Sequence, residues 1–470
     1  MGDQRLSLFL NSGVEARVDG TCRRPIMSWL VIDRIDADGS TLECTLRPSA
    51  DLERFFTETP FRVRYDRSIE AVPDAVLAIP VLANVCPVAW ANGADVYVDA
   101  VDATFAQALE DVKTSLLAMH DFLEGGTLYA RTCVDVEPPS SGSRDRDAKR
   151  ESDSALLFTG GVDSTCSYVR HREDDPTLVS IRGWTITPDP ADDENWAHLR
   201  GRVSDFADQR GLETAFLETN ALSALDHAMI LAHYKRFVDG AWYSSVGHGL
   251  GLLGLCAPMA YTRGIADVYV AATHWEGIDL EWGSRPDIDD HVRWSGTQCH
   301  HDGYELTRQE RLDVIADYVE QEDSTLELQT CNRRMDGNCG ECEKCYRTAV
   351  GLRLSGLEPT AHGYPFSQHD YDEIRRALEG GAWELGEDER NMWADIRDRV
   401  RETDPETPQE RAFFEWLLTR DLGALVSEST SPLSHRLLRA GARNTPNRVY
   451  NVAYPTWKAV QSGLDRVRTR

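Results

Sequence analysis

The stretch Ala155-Leu156-Leu157-Phe158-Thr159-Gly160-Gly161-Val162-Asp163-Ser164-Thr165 decides how the rest of the chain is read. Its first four residues, 155–158, are apolar and uncharged, as in a short buried strand. Two glycines follow, and a helix opens that runs through Tyr168 and Val169. A strand that turns through glycine into a helix leaves free backbone N–H groups at the helix start. Glycine tolerates positive φ and has no Cβ, so this backbone can come close to a phosphate, and the helix dipole favours negative charge there. Thr159, Ser164 and Thr165 add hydroxyl donors, and Asp163 is a carboxylate of the kind that holds Mg²⁺ beside phosphates. A plain Gly-Gly turn before a Ser/Thr-rich helix start is the competing reading. The turn is not a Walker loop, because no Gly-Lys-Ser/Thr follows at the required spacing, and it is not G-x-G-x-x-G.

Outward from this turn the chain alternates strand and helix. Residues 177–186 (TLVSIRGWTI), 213–219 (ETAFLET), 267–272 (DVYVAA) and 325–329 (TLELQ) read as strands. Between the first two, Trp196, Leu199, Val203 and Phe206 share a helix face that stops at Gly211. Thr307-x-x-Glu310 is a capping box opening a helix through Leu312, Ile315 and Val319. Such alternation implies an α/β fold with a parallel sheet covered on both faces. The expected organisation is an N-terminal α+β domain over 1–136, a linker over 137–154, the α/β domain over 155–360 and a helical domain over 361–470. The linker reads EPPSSGSRDRDAKRESDS, poor in apolar residues. In the N-terminal part, Leu42, Cys44 and Leu46, then Phe61, Val63 and Tyr65, alternate as in half-buried strands. A helix from Asp102 to about Leu123 buries Phe105, Leu109, Val112, Leu116 and Met119. The longest apolar run, 75–91, contains Pro80, Asn84 and Pro87 and falls short of the about 20 residues a membrane span needs; it reads as buried core.

Cys331, Cys339, Cys342 and Cys345 form C-x7-C-x2-C-x2-C. Four thiolates complete a tetrahedral shell for Zn²⁺, and Gly337, Asn338 and Gly340 supply the tight turns that convergence needs. Lys344 and Arg347 offset part of the thiolate charge. Four cysteines in so short a hydrophilic segment have no packing role. An iron–sulfur cluster is the competing occupant. Full thiolate ligation marks a closed, structural site. The other seven cysteines (22, 44, 86, 133, 166, 256 and 299) are scattered, as buried reduced thiols are in a cytosolic protein.

The octet from Phe158 to Thr165 resembles the Ser-Gly-Gly-x-Asp-Ser signature of the PP-loop, or N-type, ATP pyrophosphatases, with Thr159 where Ser is usual. The resemblance implies an adenine nucleotide alpha hydrolase-like domain. It also implies ATP bound by Thr159, Gly160, Gly161, Val162, Asp163, Ser164 and Thr165, Mg²⁺ with it, and cleavage between the α- and β-phosphates, with Asp163 and Ser164 catalytic. The segment TCNRRMDGNCGECEKCYRTAVGL, 330–352, narrows the likeness to 7-cyano-7-deazaguanine synthase and its relatives, whose zinc cysteines carry over onto 331, 339, 342 and 345. Those enzymes activate a carboxylate with ATP and use ammonia to make an amide and then a nitrile. The resemblance covers only about Ala155 to Gly356. At 244–260, SSVGHGLGLLGLCAPMA is only loosely like the synthase's Arg-Asn stretch and has Gly247 and His248 there, so no substrate contacts carry over.

The net charge is −28, and only five of the 50 basic residues are Lys, a surface suited to high salt. A halophilic cytoplasm is expected: Met1–Leu10 has no signal-peptide character. The same charge weighs against nucleic-acid binding, which needs local positive charge. Three further groups carry chemistry in principle. Cys299-His300-His301-Asp302 could line the site, though surface or packing roles are commoner. Gly283–Asp287 reads as a substrate loop or an ordinary turn. Glu276, in His274-Trp275-Glu276 after 267–272, faces a substrate or is a solvated charge. The primary expectation is an AMP-forming ligase that adenylates a small carboxylate, or an equivalent oxygen, for attack by ammonia or another nucleophile. The alternatives are a deazaguanine nitrile synthase proper, a non-catalytic ATP-binding module of a multi-protein system with a protein partner or homodimer, and a PP-loop tRNA-modifying enzyme.

Overall fold

A computed structural model describes residues 28–138, 152–238, 240–383, 385–421, 441, 443, 445, 449 and 450. Most of the expected linker, 139–151, lies outside the described residues, as does most of the expected helical tail beyond 421. The chain forms two compact units: 1–226 with 246–366, and 227–245 with 367–470.

The first unit is built on one 11-stranded sheet. In chain order its strands and longer helices are β1 (Trp29–Asp38), β2 (Thr41–Pro48), β3 (Phe61–Arg64), α1 (Asp74–Trp90), β4 (Asp95–Asp102), α2 (Ala103–Met119), β5 (Leu128–Val134), β6 (Ser154–Leu157), α3 (Val162–His171), β7 (Thr177–Arg182), α4 (Asp193–Arg210), β8 (Thr214–Thr219), α5 (His248–Leu255), α6 (Ala257–Arg263), β9 (Asp267–Ala271), β10 (Arg293–Trp294), β11 (Thr297–Asp302), α7 (Arg308–Glu322) and α8 (Glu343–Leu354). The spatial order is β10-β11-β9-β6-β7-β8-β3-β2-β1-β4-β5. The run β11-β9-β6-β7-β8 is parallel throughout. The α/β class with a mostly parallel sheet is therefore as the alternation implies.

The N-terminal strands continue this sheet. β3 pairs antiparallel with β8 through Val63↔Thr219 and Arg64↔Glu218, and Arg64 forms an ion pair with Glu218. Beside that seam Asn220 accepts from Arg62 N–H at 2.7 Å and donates to Pro60 O at 2.8 Å, which caps the junction. α1 is apolar on every side, and every residue from Ala75 to Trp90 is buried, as expected of this run. Asn84 satisfies its amide inside that core by donating to Pro80 O at 2.9 Å. At α2 the Asp102 carboxylate accepts from Phe105 N–H at 2.8 Å, so the N-cap read from sequence forms.

Two sequence-level strands end differently. β7 stops at Arg182, because Gly183 N–H turns back to Ile186 O at 2.9 Å. Residues 325–329 form no strand. Leu326 and Leu328 are buried and give the segment a strand's alternation. Its backbone bonds, however, go to a turn and a loop: Leu328 N–H to His362 O at 3.2 Å and Gln329 N–H to Gly160 O at 2.8 Å. The alternation reflects one buried side, without a neighbouring strand to pair with.

Strand order explains where a ligand would sit. From β6 the chain winds to β7 and β8 on one side, then returns to place β9 and β11 on the other. The crevice beyond the carboxyl ends of β6 and β9 is thus a topological switch point, the usual ligand position in open parallel sheets. The glycine turn leaves β6 at this end.

In the second unit the helices Asp370–Glu379, Glu387–Val400 and Pro408–Thr419 follow the helical expectation as far as the described residues go. Tyr371, Trp393, Phe413, Phe414 and Leu417 are buried in this unit, and Tyr371 OH donates to Glu410 at 3.0 Å.

Candidate functional site

Gly160 has φ +78°, the left-handed region that favours glycine, and Gly161, the N-cap of α3, has φ −78°. Positive φ therefore belongs to Gly160 alone of the pair. No side chain caps α3. The N–H groups of its first turn have no helical partner, which is the feature an anion uses. Ser164 is buried, with its hydroxyl 3.3 Å from Gly161 O and 3.4 Å from Thr159 N, so it braces the turn from inside. Thr165 Oγ1 is buried and has no hydrogen-bond partner among the described residues. Thr159 is exposed at the rim, and Val162 sits in the core beneath.

Asp163 lies differently from the expected Mg²⁺ ligand. Both its oxygens are engaged by arginines: Arg308 Nη1 at 2.6 Å from each and Arg311 Nη1 at 2.8 Å from Oδ1. Burial pushes the Asp163 carboxyl up, but the two guanidiniums outweigh it and hold it below the ordinary carboxylate value. Arg308 and Arg311 stand one turn apart at the start of α7. That start is fixed by the capping box: Glu310 N–H donates to Thr307 Oγ1 at 3.2 Å, and Thr307 N–H to Glu310 Oε2 at 2.7 Å. Arg311 also donates to Thr273 O, to His274 O at 2.6 Å and to Gly303 O at 3.1 Å. One guanidinium thereby ties the carboxyl ends of β9 and β11 to the helix that follows β6. Lys344 feels the same charges. Burial first, then Arg308 and Arg347, press its ammonium below its ordinary value. Neither Arg308 nor Arg311 is marked by any motif. The one available signal was the i, i+3 arginine pair directly after a capping box.

The four cysteines come together as expected. Their sulfurs all lie within 4.8 Å of one another, and Cys339 Sγ to Cys345 Sγ is 3.7 Å. A tetrahedral ion with metal–sulfur bonds of about 2.3 Å needs sulfurs about 3.8 Å apart, so the cluster fits Zn²⁺. Among the described residues it is the one group of this kind. Cys342 is the N-cap of α8 and Cys345 lies in its first turn. Gly340 has φ +66°, and a Cβ there would come within 2.6 Å of Pro365. Asn338 is the clamp. Its oxygen accepts from Thr330 N–H at 3.0 Å and Cys331 N–H at 3.2 Å. Its nitrogen donates to Leu328 O at 2.7 Å and Gly363 O at 3.0 Å. Hydrogen bonding between these close sulfurs lowers the Cys342 thiol and raises that of Cys345, as groups that share a proton do.

The cluster and the glycine turn are joined directly. Gln329 donates its N–H to Gly160 O, and its side chain bonds to Arg334 O at 2.9 Å and Gly337 O at 3.1 Å. Arg202 spans the same gap, to Met335 O at 3.1 Å and Thr159 O at 3.4 Å. The segment that failed as a strand is thus the brace between the two motifs.

The weaker sequence candidates separate. Cys299 is a buried thiol, which burial raises well above its usual value. His300 pairs with Asp267 at 2.7 Å. Asp302 accepts from Ser167 at 2.6 Å and Arg170 at 3.1 Å. Glu276 is exposed, as a solvated charge is. His301 belongs to a buried group with Ser284 and Asp289, of which the sequence reading includes His301 and Ser284 and misses Asp289.

No family model matches the chain, and no curated protein matches it. No helix of the described residues is long and apolar enough to cross a membrane.

Proposed function

We propose that the protein binds ATP at the glycine turn and cleaves it to AMP and pyrophosphate while activating a small carboxylate. The observation that carries this reading is the uncapped start of α3 at the topological switch point, with Arg308 and Arg311 gathered on Asp163 beside it. In this reading the free N–H groups of α3 hold the β- and γ-phosphates, and the arginines oriented by Asp163 neutralise the charge that develops on them. Mg²⁺ enters with the nucleotide, carried mainly by the phosphates. The substrate carboxylate attacks the α-phosphorus, the bond to the bridging oxygen breaks, and pyrophosphate leaves. Ammonia then attacks the acyl carbon and AMP departs. The four-cysteine site holds Zn²⁺ and stiffens the loop that Gln329 and Arg202 tie to the glycine turn.

The test is product analysis in molar KCl with ATP, Mg²⁺ and ammonium, using 7-carboxy-7-deazaguanine first and then small carboxylates. AMP and pyrophosphate are expected. ADP and phosphate would overturn the reading. AMP release with 7-carboxy-7-deazaguanine identifies the nitrile synthase. Tight ATP binding without turnover identifies a non-catalytic module.

A further inference from the structure

We propose that Arg202 of α4 binds the terminal phosphates of the nucleotide at the glycine turn and so selects a triphosphate over a monophosphate. The proposal deepens the ATP reading above and rests on it.

Arg202 lies directly against the turn. Its Nη2 contacts Thr159 O at 3.4 Å, and a Cβ on Gly160 would stand 3.4 Å from its Nε and 3.7 Å from its Cδ. Nη1 donates to Met335 O at 3.1 Å, which holds the side chain from the cysteine loop. α4 carries the residue there: Trp196, Leu199 and Val203 pack into the same core as Phe158 and Val162, which flank the turn.

The charge of Arg202 is not matched by a carboxylate among the described residues. Other enclosed guanidiniums are matched. Arg182 meets Asp193 at 2.8 Å, Arg347 meets Glu343 at 2.7 Å, Arg263 meets Asp66, and Arg308 and Arg311 meet Asp163. Arg210 lies instead over the Phe206 ring, 3.8 Å from its centroid. Arg202 faces two carbonyls, and its Nε is buried with no hydrogen-bond partner among the described residues. Burial presses its guanidinium below the ordinary value, and the charge of Glu327 opposes this only in part. The chain has 78 acidic residues against 50 basic ones, so the missing partner does not reflect a shortage of carboxylates. A neutral amide would bridge two carbonyls without the cost of enclosing a charge, so bracing alone does not account for an arginine here.

A phosphate accounts for it. In a guanidinium, Nε–H and Nη2–H lie side by side on one edge, and that edge matches two oxygens of a phosphate. In Arg202 this edge has an unpartnered Nε and one long contact from Nη2. Exchange of Thr159 O for phosphate oxygens completes it. The α3 N–H groups and Arg202 then share the β- and γ-phosphates, and Arg202 neutralises charge that departs with pyrophosphate. Arg308 and Arg311 already answer a carboxylate, so Arg202 brings the charge that the protein itself leaves unmatched.

Titration calorimetry with ATP and Mg²⁺, with inorganic pyrophosphate and with AMP separates the phosphate tail from the rest of the nucleotide. Arg202→Gln should weaken ATP and pyrophosphate by about 10–100-fold, the range of a charged hydrogen bond, and leave AMP unchanged. Arg202→Lys should recover part of the loss, because the charge stays and the fork goes. It also carries the comparison if Arg202→Gln fails to fold. Unchanged ATP and pyrophosphate affinity in both variants, with AMP and pyrophosphate still formed from ATP, overturns the proposal and leaves the ATP reading standing. Equal weakening of all three ligands together with a lower melting temperature marks a structural brace and overturns it too. A parent protein that binds neither ATP nor pyrophosphate overturns the ATP reading and this proposal together.

Discussion

At the scale of single residues, the two glycines of the turn do different work and should respond differently to substitution. Gly160 holds φ +78°, so Gly160→Ala places a Cβ in left-handed backbone and should cost about 1–2 kcal/mol of stability. Gly161 has φ −78°, which any residue adopts, and a Cβ there meets Gln329 O at 3.6 Å and Thr159 Oγ1 at 3.8 Å, ordinary contact distances. Gly161→Ala should therefore melt like the parent or slightly higher, yet bind ATP at least tenfold more weakly. Thermal denaturation and titration calorimetry check the pair; unchanged ATP affinity in Gly161→Ala would show that the turn does not hold the phosphates. The cysteines give a second residue-level expectation. Purified protein should carry about one Zn²⁺ per chain. Cys342→Ser should lose it together with several kcal/mol of stability, because binding energy at such a site is folding energy. Elemental analysis showing iron with visible absorbance would assign the other occupant.

At the scale of elements, α7 is where capping and chemistry meet. The capping box fixes the first turn, and that turn carries Arg308 and Arg311 onto Asp163. Thr307→Ala should cost about 1 kcal/mol, read as a lower urea midpoint with unchanged slope. If the arginines are also loosened, ATP affinity should fall with it; a stability loss with affinity unchanged would show that Asp163 alone holds them. The box was legible because both partners are local in sequence. The role of 325–329 was not, because its alternation records burial on one side and carries no information about what lies on the other. The same holds for His301. The sequence marks it as one of two adjacent histidines, and only the placement of Pro286–Asp289 against β11 separates a surface pair from a buried one.

At the scale of the whole molecule, the charge of −28 sets the solvent dependence. Repulsion among acidic side chains opposes folding at low ionic strength and is screened within about 3 Å at 1 M salt. The melting temperature should rise steeply with KCl from the millimolar to the molar range; a flat or falling curve would remove the high-salt reading. The sheet also acts at this scale. Strands on both sides of the β3–β8 seam share one ladder, and Tyr65 OH donates to Leu255 O at 3.1 Å across it. Segments with separate compositions therefore lie in one compact unit.

By itself the sequence determined what depends on neighbours a few residues apart. That covers the strand-turn-helix through Gly160 and Gly161, the Asp102 and Thr307 caps, the stop at Gly211, and four cysteines spaced to converge. Each rests on local hydrogen bonds or on short chain reach. Only the tertiary structure decided what depends on partners far along the chain. It brought Arg308 and Arg311 onto Asp163, made 325–329 a brace between the glycine turn and the metal cluster, and enclosed Asp289 with His301. Nothing in a residue's own neighbourhood specifies which distant carboxylate or carbonyl a guanidinium meets. The order of strands in the sheet specifies it, by setting which loops share the crevice at their carboxyl ends.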